Sequence, residues 1–75
     1  LMNSPFVVQQ SALIAERAEK EVGQGAGAVK RCFELLLGRA PQAAELKASL
    51  AVYQKRGLKF VARALINSNE FAFIP

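Results

Sequence analysis

The sequence predicts an all-α fold: a small bundle of four helices closed by a short C-terminal helical turn. Three observations carry this. Apolar residues recur at steps of three and four, and nothing alternates cleanly over six residues. The strong helix formers Ala, Leu, Glu, Lys, Arg and Gln dominate. Glycine, proline and Asn-Ser breaks at 23–27, 38–41, 57 and 67–69 divide the chain into short rods.

Asn3-Ser4-Pro5 reads as a helix start. Ser4 can accept a bond from a first-turn amide, and Pro5 suits the first helical position, where its missing N–H costs nothing. The first helix is expected from there to about residue 22. Phe6, Leu13 and Ile14 mark its apolar stripe. Its far half, residues 16–21, is a wet face with Glu16–Lys20 and Arg17–Glu21 spaced for weak support. Residues 23–27 hold three glycines in five and read as a linker. They follow a helix, not a strand, and lack the Lys-Ser/Thr of a phosphate loop.

A second helix is expected from about residue 28 to residue 37, with Val29, Phe33, Leu36 and Leu37 on one face. Cys32 lies beside that face. It reads as a small core residue, the alternative being a reactive thiol, for which no base partner stands near. Gly38 is a left-handed stop. Pro41 opens a third helix, with Ala43, Leu46, Leu50 and Tyr53 facing inward, and Gly57 ends it. The fourth runs from about residue 58 to residue 67 on Phe60, Val61, Ala64 and Leu65. Asn67 and Ser68 interrupt it, because such side chains compete for backbone bonds. Ser68 is expected to cap a last short turn that returns Phe71 to the core.

Size bounds what the chain can do. Its 75 residues make one domain, 1–75. A chain of that size buries roughly 60% of its unfolded surface. With 52% apolar residues it has enough to pack, and little room for a deep pocket. There is one cysteine and no histidine, so an internal disulfide, the usual zinc sets and His-based acid–base chemistry are excluded. No run reaches the roughly 18 apolar residues of a membrane span. The chain begins at Leu1 and enters a helix within five residues, so it reads as an excised fragment of a larger protein.

Met2-Asn-Ser-Pro-Phe-Val7, Leu35-Leu-Leu-Gly-Arg-Ala-Pro41 with Glu45-Leu46, and Ala64-Leu-Ile-Asn-Ser-Asn-Glu-Phe71 form an ordered set. In them the chain resembles the C-terminal region of the planctomycete surface-domain proteins. These are large exported bacterial proteins of unknown function, some with a cytochrome c-type domain near the front. The resemblance spans nearly the whole chain. It implies an extracytoplasmic module, periplasmic or at the cell surface, and it carries over no catalytic residue. The haem-attachment pattern Cys-x-x-Cys-His is absent, so no cofactor is expected in this segment. The loose glycine-rich stretch at 23–27 departs from the family pattern.

Arg39 and Glu70 are the charged residues inside the two main motifs. Arg39 sits past a helix end, where a cation meets unpaired carbonyls. Glu70 reaches it if the chain folds back. With Asn67 and Ser68 they form the candidate structural or interaction residues. Lys55, Arg56, Lys59 and Arg63 form a basic face on two helices joined by a tight turn. Net charge is +4, which serves solubility or, in the alternative reading, a small basic nucleic-acid-binding domain. The six carboxylates are all Glu, four serines lack a His partner, and no catalytic or metal set is read. The expected role is a non-catalytic structural or protein-interaction module. Its partner is the rest of its parent chain or another protein, and the oligomeric state stays open. Val7, Val8 and Phe73 are the expected exposed apolar residues.

Overall fold

Each break in the sequence becomes a boundary in the structure, a computed structural model that describes residues 3–68, 70 and 71. Four helices lie among these residues, α1 (Pro5–Val22), α2 (Ala26–Leu37), α3 (Ala43–Arg56) and α4 (Leu58–Ile66), and no strand. The Ser4 hydroxyl accepts the Val7 N–H at 3.3 Å and Pro5 opens α1. Gly38 caps α2 in the left-handed conformation and donates its N–H to the Glu34 carbonyl. Gly57, at φ 96, both ends α3 and begins α4, a reversal that a side chain would strain.

Two boundaries differ from expectation. α2 starts at Ala26, so Gly27 belongs to a helix and not to the linker. First-turn amides have no intrahelical partner, which makes glycine less costly there than further in. Pro41 does not open α3; Gln42 caps it and Ala43 begins it. The reason is the Glu45 carboxylate, which accepts the Gln42 N–H at 2.8 Å and fixes the cap one residue later. α4 stops at Ile66, with Asn67 as its cap. The chain then turns: Ser68 returns both its N–H and its hydroxyl to the Leu65 carbonyl, and Phe71 donates its N–H to the Ser68 carbonyl. The Ser68 side chain thus caps backward onto α4, not forward onto the closing turn.

Helices α1, α2 and α4 all touch one another, whereas α3 packs on α2 and α4 and makes no contact with α1. The core lies between the first three. Val29, Cys32 and Phe33 come from α2, Leu58, Val61, Ala62 and Leu65 from α4, and Ala15 and Ala18 from α1. Burying an apolar side chain the size of Phe33 contributes about 1.5–3 kcal/mol. The inner face of α3 (Leu46, Leu50, Tyr53) is only partly buried, and α3 has no fully buried residue. Ala43, expected on that face, is exposed, while Val52, off that face, also packs against the core.

The stripe of α1 needs correction. Phe6 and Leu13, expected in the core, are 49% and 55% exposed. The buried stripe is Val7, Ser11, Ala15 and Ala18. These small residues let α1 approach α2 and α4 closely, which turns its largest side chains outward. Val7, expected on the surface, is therefore buried, while Val8 is exposed. Ser11 is wholly buried and donates its hydroxyl to the Val7 carbonyl at 2.6 Å, so that hydroxyl is not stranded. Phe71 is partly buried, and Phe73 lies outside the described residues.

Candidate functional site

Gly38 ends α2 and delivers Arg39 into the short connection to α3. Its guanidinium meets two carboxylates there. Nε donates to Glu70 Oε2 at 2.6 Å and Nη2 to Glu70 Oε1 at 2.7 Å. Nη1 donates to Glu45 Oε1 and Nη2 to Glu45 Oε2, both at 2.8 Å. Nη1 also reaches the Ala40 carbonyl at 3.0 Å. A guanidinium carries five N–H donors in a planar fork, and all five are matched here. The guanidinium carbon lies 5.8 Å from the centroid of Phe33, so the fork also rests on the core.

The electrostatics follow from these contacts. The Arg39 fork, then the Gln42 N–H, hold the Glu45 carboxyl down at about 2. Arg39 likewise lowers Glu70, and the hydrogen bonds it donates to Glu70 and Glu45 push the guanidinium further up. The cluster is a polar clasp: it ties the α2–α3 connection, the first turn of α3 and the closing turn together. Asn67 and Ser68 enter it indirectly. Both end α4 and set the turn that brings Glu70 round.

Glu45 was the member not assigned by sequence reasoning. Its position three residues past Gln42 is a capping-box spacing, and that signal was available. A second cluster was legible only in part: Arg17 pairs with Glu21 at 3.0 Å, as their spacing predicts, while Arg31, which bridges Glu21 at 2.7 Å and Glu34 at 3.1 Å, was not assigned. Glu16 and Lys20, spaced to pair, form no ion pair among the described residues.

Lys55, Arg56, Lys59 and Arg63 are brought together in part. Arg56, Lys59 and Arg63 gather round the Phe60 ring, whereas Lys55 lies exposed at the end of α3. On another face a groove of about 680 Å³ opens beside α1. Phe6 and Ile14 from α1, Leu35 and Leu36 from α2, Ile66 from α4 and Phe71 beyond it give an apolar lining, with Gln10 as a polar group.

No protein-family model, curated protein or solved structure matches this chain.

Among the described residues no group of three or more Cys, Asp or Glu side chains is placed to hold a metal ion. No helix among them is long and apolar enough to cross a membrane.

Proposed function

We propose that the chain is a non-catalytic protein-interaction module, the C-terminal part of a larger exported bacterial protein, which docks the rest of its parent chain or another protein. The supporting observation is the apolar groove beside α1, with Phe6 on its lining and Leu13 two turns further along the same helix, both about half exposed. A small domain that leaves such residues open keeps apolar area in water that a partner would remove. The resemblance of the ordered motifs to those of the planctomycete surface-domain proteins is what supports the extracytoplasmic placement.

A photo-crosslinking residue in place of Leu13, in the full-length parent in its own cells, tests the reading. Adducts with a second protein or with another segment of the parent are expected. Illumination that yields only water-quenched side chain at Leu13 and at Phe6 overturns it. Fractionation of the same cells should recover the parent outside the cytoplasm; a cytoplasmic parent overturns the placement.

A further inference from the structure

Phe60 sits in the first turn of α4, partly buried. Three cations surround its ring. The Arg63 guanidinium carbon lies 4.6 Å from the centroid, that of Arg56 5.6 Å and the Lys59 ammonium 5.9 Å. The single-residue turn at Gly57 is what swings Arg56 of α3 into this company. Elsewhere the arginines are neutralised: Arg17, Arg31 and Arg39 each hold a glutamate. Among the described residues Arg56, Lys59 and Arg63 have no carboxylate within ion-pair distance. Arg63 makes one long contact, from Nη1 to Asn3 Oδ1 at 3.4 Å, and its Nε is buried with no acceptor.

A ring attracts cations and orients them, but it removes no charge. Three like charges about one ring repel one another, and an anion placed among them lowers the energy of all three. We propose that this face docks an acidic peptide segment, a run of Asp or Glu side chains on a protein partner. Carboxylates match the guanidinium fork of Arg56 and Arg63, and Lys55 at the same helix end extends the positive field. The observations favour a peptide over nucleic acid. The cations converge on one ring and do not track along a strip, and the ring they cover is not offered to a base for stacking. The inference rests on the interaction-module reading but uses a different face, so crosslinking at Leu13 and binding here can fail separately.

The test is fluorescence anisotropy of a labelled oligoglutamate peptide at low salt. Arg63→Gln is expected to weaken binding about two- to fivefold, the range of a single partly exposed charge. Phe60→Leu leaves net charge unchanged and is expected to weaken binding as well, because the cations lose their common support. Lys20→Gln with Lys30→Gln, which removes two charges elsewhere, is the control and should have the smaller effect. Three results overturn the proposal: no binding, a control that weakens binding as much as Arg63→Gln, or duplex DNA of equal charge that binds more tightly than the peptide. Should circular dichroism show Phe60→Leu to be unfolded, Arg63→Gln against the control decides.

Discussion

Arg39 and Glu70, 31 positions apart, meet through two parallel hydrogen bonds of 2.6 and 2.7 Å. The pair closes the molecule from the α2–α3 connection to the last turn. It is exposed enough for salt to weaken it, with the two side chains 32% and 49% accessible. A double-mutant cycle on thermal stability with Arg39→Ala and Glu70→Ala should therefore show coupling that shrinks as salt rises. Arg39→Lys should lower Tm by several degrees, because an ammonium cannot fork to two carboxylates. Zero coupling at low salt would discard the clasp.

The same cluster sets a pH dependence. Glu45 ordinarily titrates at 4.5 and is held at about 2 in the folded chain. Glu70 is depressed from the same ordinary value. A depressed folded pKa means the contribution is fully present above 4.5 and is lost as pH falls from there through about 2. Wild type should thus lose stability across that window faster than Arg39→Ala. Parallel acid melting curves for the two proteins would sink the account.

Cys32 is wholly buried, and burial, then the Glu19 charge, pushes its thiol up to about 11. Thiolate is the reactive form, so the native protein should resist iodoacetamide at mildly alkaline pH. Labelling should appear only with urea, along the unfolding curve. Rapid labelling of the folded chain would contradict both the burial and the raised thiol.

The close seam of α1 gives a paired prediction. Ala18→Leu adds bulk where α1 meets the core and should cost about 1–3 kcal/mol. Leu13→Gln, on the open side, should change stability by less than about 0.5 kcal/mol. Urea denaturation of both variants checks the order, and the reverse order would reject the described face of α1.

Much of this architecture was legible from residue spacing. Val29, Phe33, Val61 and Leu65 recur at helical steps, and the structure buries all four. Their signal is strong because large apolar residues on one face have only one place to go. Phe6 and Leu13 misled for the same reason. Periodicity weighted by size points to the bulkiest side chains, whereas close helix packing selects Ser11, Ala15 and Ala18. Gly27 misled through its neighbours: two glycines nearby turn the chain at positive φ, and this one does not. The meeting of Arg39 with Glu70 was inferred from charge inside two motifs. The third partner, Glu45, needed the geometry of the α3 cap.

Helix α3 has a distinct mode of attachment. It offers no fully buried side chain and never touches α1. Polar clips hold both of its ends, Arg39 to Glu45 at the front and the Tyr53 hydroxyl accepting the Gly25 N–H at 3.0 Å at the rear. A rod fastened this way is the first to detach, leaving α1, α2 and α4 as a three-rod remnant. Native-state hydrogen exchange should therefore find the amides of 43–56 opening below the global unfolding free energy, and earlier still in acid. Uniform protection across the four helices would refute that order of release.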